Sequence, residues 1–312
     1  MCATIGDAVA LISLPFAGAG PINGILPSVM VLLCWLPYRA RVRTLSHEPR
    51  AVPGWRQACF AAGLVTLAIA LSEPVDSIAD QLLVAHMAEH LVIGDVSALL
   101  LVLGFTGPLL APLLRRRYIG KLRIFAHPLV AFPVWAINFY AWHTPFLYQA
   151  ALRHDLVHGL QHASFLAFGM AMWMALLGPL PKPSWFGNAA RLVYIIAVRL
   201  AGTILANVMI FSGTVLYPIY RATDAKWHIS PMGDQIAAAG VMMVEESLLT
   251  IGLFCWLFLK VAREAEERQA LLDAAAASGL ELDEQRAARA VAAGRGDELL
   301  ERIRARGATT VS

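Results

Sequence analysis

The sequence predicts an all-α, polytopic membrane protein: a bundle of seven transmembrane helices followed by a cytoplasmic helical tail. Three observations carry this expectation. Of the 312 residues, 58% are hydrophobic and only 15% are charged, whereas a soluble domain is about half apolar and about a quarter charged. The apolar residues gather in runs of about 20, the length at which a helix crosses a bilayer. Lys and Arg are also distributed unevenly between alternate connections, as expected when positive loops stay inside.

The elements follow in chain order. Spans are expected at about 20–38, 55–72, 79–104, 128–150, 155–178, 190–217 and 234–260. Residues 4–18 are short and weakly apolar and read as an outer-surface segment. The connection after the first span holds Arg39, Arg41, Arg43, Arg50 and Arg56, and the one after the third holds Arg115, Arg116, Arg117, Lys121 and Arg123. Lys182 and Arg191 follow the fifth, while the opposite side has only Arg153, Arg221 and Lys226. The positive connections are therefore placed in the cytoplasm, with the N-terminus outside and the C-terminus inside.

Composition changes after Lys260. Residues 1–260 read as the transmembrane domain and 261–312 as a charged tail rich in Ala, Glu and Arg, with Leu271, Leu272, Leu280 and Leu282 at helical spacing. Gly279, Gly294 and Gly296 break it into pieces, so a hairpin with solvated mixed charges is expected. The formal charge of +3 says little about partners once topology explains where the charge sits. The bilayer is the expected surroundings, and nothing points to nucleic acid. Cys2, Cys34, Cys59 and Cys255 show no CxxC spacing, which gives neither a disulfide framework nor a thiolate metal motif. They read as buried small hydrophobes. The N-terminus lacks the basic region of a signal peptide, so no cleavage is expected.

The chemistry-bearing residues are histidines. The stretch RHDLVHGLQHASF, residues 153–165, places His154, His158 and His162 four apart at the start of the fifth span. HMAEH adds His86 and His90 in the third span, and AWHTP adds His143 in the fourth. At about 1.5 Å of rise per residue, His86, His90, His143, His158 and His162 all lie within about 5–15 Å of the outer surface. His154 belongs to the loop and helix start, as a solvated residue or an entry ligand. His47, His127 and His228 are scattered elsewhere.

Polar side chains in a span are costly and face the bundle interior or a cavity. Residues i and i+4 share a helix face, so His86/His90 and His158/His162 can each grip one ion or a haem edge. A purely structural polar network is the alternative. Imidazole suits copper, zinc and iron, and no cysteine accompanies the histidines. Copper fits best, with Met87 or Met242 as soft supplements, and zinc, iron and haem remain open. Asp234, Gln235, Glu245 and Glu246 lie along the last span. Asp234 is a site candidate or the N-cap of that helix. Glu246 is a further candidate or the partner of Arg199, since isolated deep charges are expensive. Met170, Met172 and Met174 read as gap-filling.

HMAEH also matches the inverted zincin pattern, with Glu89 as general base. A hydrolase would need water and a substrate in the outer bilayer, so Glu89 is kept only as an additional candidate ligand.

HMAEH, AWHTP, HGLQH and GDQ, in this order over roughly residues 20–260, resemble the CtaG family of multi-spanning assembly factors associated with caa-type cytochrome c oxidase. These are distinct from the single-span copper chaperones with Cys ligands that share the name. The resemblance implies a role in maturing a haem-copper oxidase by handling copper on the outer side of a bacterial plasma (inner) membrane. It assigns His86, His90, His143, His158 and His162 to the family's histidine set, Asp234 and Gln235 to the polar pair opening the last span, and Tyr217 to a tyrosine near the end of the sixth. It departs from the family pattern where IAAAGVMMVEES follows the DQ pair, and in the charged tail. The expected partner is an oxidase subunit or a copper donor protein, and the expected role is a holding factor rather than an enzyme. Two other functions would use the same histidines: a di-metal oxidase or hydroxylase, and a b-type haem protein. The oligomeric state is open.

Overall fold

The computed structural model describes residues 21–46 and 51–310, with side chains placed for 28–46 and 51–305. His47, Arg50, Cys2 and the expected outer-surface segment 4–18 lie outside the described residues. Within them the chain is helical, with no strand. It divides into two compact units, residues 1–247 and 248–312.

In the first unit, α1 (Pro21–Leu45) is followed by α2 (Gly54–Ala70), which bends by 54° into the short α3 (Glu73–Ala79). Pro74 in the first turn of α3 lacks the N–H that would continue α2. Next come α4 (Leu83–Leu91), a π-helical turn (Val92–Ser97) and α5 (Ala98–Gly104), which together make one continuous helix. The short α6 (Gly107–Leu114) and a 3₁₀ segment (Ile119–Ala126) lead through an 84° bend into α7 (Pro128–Trp142). Pro145 then starts α8 (Pro145–Ala151). The remaining elements are α9 (Asp155–Leu176), α10 (Asn188–Phe211), a 3₁₀ turn (Pro218–Tyr220), α11 (Arg221–Lys226) and α12 (Pro231–Ala277).

Each expected span contains helix, yet the boundaries differ from expectation for physical reasons. The sixth stops at Phe211 instead of reaching residue 217, because Gly213 takes the left-handed conformation (φ +66°) that ends helices. The fourth is cut at His143 by the proline of AWHTP. The seventh runs on to Ala277, so the change in composition at Lys260 does not end the helix. By length and apolarity, three helices among the described residues can cross a membrane, and up to five if each bent pair counts as one span.

α10 illustrates the segregation of faces. Val193, Ile196, Leu200, Ile204, Val208 and Phe211 form an exposed apolar stripe, while Tyr194, Ala201, Gly202, Leu205 and Met209 are buried. The cysteines follow the same outward pattern. Cys34 and Cys255 are exposed and Cys59 is half-buried, all of them free. They are thus not buried as expected, because an apolar run here includes outward-facing positions.

One core joins α1, α2, α5 and α6 through Tyr38, Phe60, Leu64, Leu101 and Leu109. Tyr38 stacks on Phe60 (3.8 Å between ring centroids) and donates to the Gly104 carbonyl at 3.1 Å. Arg56 donates to the Leu103 and Phe105 carbonyls at 2.9 and 2.8 Å, supplying partners and positive charge at the C-terminus of α5. On the other side, α9 packs on α7 and on the π-helical turn. There Gly169 meets the Gly94 backbone so closely that a Cβ would overlap the Gly94 carbonyl.

The start of α4 is held from far away in sequence. Asp234 accepts the Leu83 N–H at 2.6 Å and the Val84 N–H at 3.0 Å, the first two amides of the helix. The expectation that Asp234 caps its own helix is corrected: the Ser230 hydroxyl accepts the Gly233 N–H there, at 3.0 Å. Gln235 ties off the end of α10. Its amide donates to the Met209 and Thr214 carbonyls and its oxygen accepts the Leu216 N–H, at 2.8, 3.1 and 2.8 Å.

In the second unit, Leu271, Ala275, Ala287, Val291 and Ile303 form a small core within the last part of α12, α13 (Glu284–Ala292) and α14 (Gly296–Thr310). Gly279 and Gly294 have φ of +67° and +66°, the conformation a tight reversal between helices needs. The expected breaks at these glycines are thus observed.

Gly169→Ala overpacks the α9 contact and should cost about 1–3 kcal/mol, seen as a lower thermal midpoint in detergent. Gly240→Ala, which meets open space, should be neutral or stabilising. Asp234→Ala leaves two amides without acceptors at about 1–3 kcal/mol each. Hydrogen exchange should accelerate at Leu83 and Val84 before it does in α10.

Candidate functional site

Two helices supply most of the donors. α4 carries His86 and His90 one turn apart, with ring centroids 4.2 Å apart, and α9 carries His158 and His162 at the same spacing, also 4.2 Å. The close Gly94–Gly169 approach brings the two rows face to face. His86 stacks on His158 at 5.2 Å and 15°, and His90 meets His162 edge-on at 5.3 Å and 82°. The result is a ladder of four imidazoles with two rungs.

Three groups of potential ligand atoms lie within 4.8 Å of one another: His86, His90 and His158; Glu89, His158 and His162; and Asp76, Asp80 and His158. His158 belongs to all three. Its Nδ1 is 4.0 Å from Asp76 Oδ1, and its Nε2 is buried without a hydrogen-bond partner. His162 Nε2 stands 3.7 Å from Glu89 Oε1, too far for a hydrogen bond. The ring nitrogens of His86 and His90, both Glu89 oxygens and both polar atoms of Gln161 are buried with no hydrogen bond of ordinary geometry. Each such atom costs about 1–3 kcal/mol. A cation with two or three imidazole ligands would relieve several of these costs at once, so the donor set fits a metal ion.

His143 joins none of the three groups. It caps the end of α7 with Nδ1 2.7 Å from the Phe139 carbonyl. A carbonyl only accepts, so Nδ1 carries the proton and Nε2 keeps its lone pair. Phe165 touches both His90 (4.7 Å) and His143 (6.0 Å). His90, His143, Met87, Asp95 and Met242 line one narrow cavity of about 20 Å³, room for a single water-sized group. Asp95 reaches this cavity from the π-helical turn, an irregularity that frequently marks functional positions.

The additional candidates separate by what already holds them. Tyr217 donates its hydroxyl to the His143 carbonyl at 2.7 Å, so it supports the end of α7. The Tyr148 hydroxyl donates to Tyr220 (3.0 Å), which donates to the Ala79 carbonyl (3.3 Å), and the Tyr148 ring lies 5.0 Å from His86. Asp234 is occupied by the two α4 amides. Glu246 pairs with Arg199 at 2.6 Å, and Arg199 also donates to Ser247 at 3.0 Å. That is the neutralised pair anticipated for them. His154 is exposed and joins no donor group, and its carbonyl accepts the Val157 and His158 amides in the first turn of α9. Glu89 stands with His158 and His162 rather than serving a zincin site between His86 and His90.

Asp76, Asp80 and Gln161 were not anticipated. DSIAD puts the two aspartates four apart, the same spacing as the histidine pairs, at the end of α3, with Asp80 just past its last residue. The expected start of the third span at residue 79 splits the pair, whereas both belong to the end of α3, a separate helix with Asp76 beside His158. Gln161 sits inside HGLQH, and its complete burial has no sequence signature.

Comparisons with known proteins bear on what such a site is for. An uncharacterized protein of Mycobacterium bovis and one of Mycobacterium tuberculosis are each 23% identical to this chain over 246 residues. The match covers 73% of this chain and 37% of each relative. No solved structure matches. The family model of the cytochrome c oxidase caa3 assembly factors (Caa3_CtaG) matches residues 33–264, well over half of the sequence, and the chain belongs to that family.

Proposed function

We propose that this protein holds copper near the outer surface of a bacterial plasma membrane for the assembly of a caa3-type oxidase. One observation carries the reading: His86, His90 and His158 converge within 4.8 Å while the nitrogens buried among them make no hydrogen bond of ordinary geometry. Neutral imidazole is the ligand form, and burial in an apolar bundle favours it. The preference for copper rests on the donors nearby. Met87 and Met242 add thioethers beside His90 and His143, and no thiol joins the ligand groups among the described residues. Imidazole with thioether suits copper, whereas zinc and iron gain less from sulfur of this kind.

On this reading the seven apolar segments cross the membrane, with the segment before α1 outside and the tail in the cytoplasm. The support is the uneven distribution of Lys and Arg. The histidine ladder then opens outward, where copper is delivered to an apo-oxidase subunit or received from a donor protein. The role is holding and release rather than catalysis.

A di-metal enzyme is the second reading, because the Glu89, His158 and His162 group adjoins the first. It requires about two ions per chain and a spectrum that changes with oxygen. The holding reading requires about one, with no oxygen dependence.

Elemental analysis and an absorption spectrum of protein purified from its own membrane test the proposal. Wild type should retain about one copper, and His86→Ala and His158→Ala should each lower the affinity about 100-fold or more, by analogy with the loss of a metal-orienting group. Unchanged metal content in both variants would exclude this site. A haem Soret band in place of copper would shift the assignment to haem.

A further inference from the structure

The copper-holding reading explains the buried rungs but leaves Asp76 and Asp80 without a role. We infer that Asp76, Asp80 and His158 form a separate, outer capture site for a divalent first-row cation, from which the ion passes across His158 to the buried histidines. The inference rests on the holding reading for its second step only.

The geometry has a direction. Asp80 is exposed, the Asp76 side chain is 42% exposed and that of His158 14%, while His86 is fully buried. The three outer donors lie within 4.8 Å of one another, and the same His158 lies within 4.8 Å of ligand atoms from His86 and His90. His158 presents Nδ1 at 4.0 Å from Asp76, and its Nε2 is buried and unpartnered. His86, fully buried and with no hydrogen bond of ordinary geometry, stacks on it at 5.2 Å.

The chemistry has the same direction. Carboxylates at a solvent-facing mouth accept a cation that still holds water, which an imidazole cluster in an apolar bundle does poorly. Two negative charges at the rim also raise the local cation concentration, an effect worth about 10- to 1,000-fold in association rate. Behind the carboxylates the donors are the imidazoles of His86 and His90, which are softer than carboxylate oxygen. A neutral imidazole has one lone pair, so His158 serves the outer group through Nδ1 or the buried one through Nε2, but not both together. The change moves its ring proton from Nε2 to Nδ1 by exchange with water at the mouth. Transfer is then ligand exchange, with no change of oxidation state and no co-reactant. The carboxylates exchange for His86 and His90 while the ion remains near His158.

Full-length protein in nanodiscs, stripped of metal and mixed with Cu²⁺, tests this by stopped-flow absorbance, with retained metal measured after desalting. Asp76→Asn/Asp80→Asn should load at least about tenfold more slowly than wild type and reach the same retained content. His86→Ala should show a fast, weak phase and retain nothing, and adding the Asp pair substitution should abolish that phase. Loading of the double Asp variant at the wild-type rate would overturn the capture site and leave the holding reading intact. A wild type that retains no copper, yet shows a fast phase lost with the aspartates, would overturn the holding reading and leave the capture site standing. Asp80 is exposed, so Asp80→Asn alone, again slower to load, decides the matter if the double variant does not fold.

Discussion

The Asp234 carboxylate receives the first two amides of α4, and that contact sets the height of every donor the helix carries. Helix N-termini leave amides without partners and concentrate positive potential. A carboxylate from α12 answers both needs with bonds of 2.6 and 3.0 Å. If α4 began one residue earlier or later, His86 and His90 would turn by about 100° around its axis and leave the face that meets His158 and His162. The neighbouring Gln235 fixes the end of α10 from the same turn of α12. Tyr217, just beyond that end, holds the His143 carbonyl. The GDQ stretch therefore acts as a clamp whose effect is felt at the histidines, although neither side chain is a ligand candidate on geometry.

This separates what the residues reveal in sequence from what only packing reveals. Pairs at i and i+4 make the two histidine rows visible, because helical periodicity is local. Their pairing into rungs depends on Gly94 and Gly169 meeting, and no pattern along one strand of sequence announces a contact between two glycines 75 residues apart. Depth reasoning grouped His143 with the others. Phe165 and the α7 cap instead set it on a neighbouring cavity, since equal depth says nothing about azimuth around the bundle. Asp234 was legible as a polar group at a helix start, but the helix it caps is α4 and not its own. The π-helical turn, which brings Asp95 to the cavity, follows from no residue type in VIGDVS.

The energetic character of the site is set by polar atoms left unsatisfied. Interiors tolerate few of these, and here they are concentrated on two helices: His86, Glu89 and His90 on one, His158, Gln161 and His162 on the other. Elsewhere in the same bundle several buried polar groups are answered, although both Glu245 oxygens, Thr106 Oγ1 and Asn138 Nδ2 also lack hydrogen bonds. Arg199 is answered by Glu246 and Ser247, Trp142 by Ser164 and Asn138, and Arg56 by two carbonyls. The densest group of such atoms is at the ladder, where six side chains on two facing helices carry them.

Sharing one imidazole among three donor groups also constrains how many ions the site can hold. A neutral ring has a single lone pair, so occupation of one group by way of His158 removes that ligand from the other two. Two ions would need an imidazolate bridge, or one ion would have to do without His158 and be left with Glu89 and His162, or His86 and His90, alone. A pair of ligands holds an ion weakly and exchanges it readily. Weak adjacent positions around a common pivot suit a protein that must release its metal to a partner, whereas a dinuclear catalyst needs two well-filled coordination shells that persist through turnover. The economy of donors around His158 thus favours passage of one ion over storage of two.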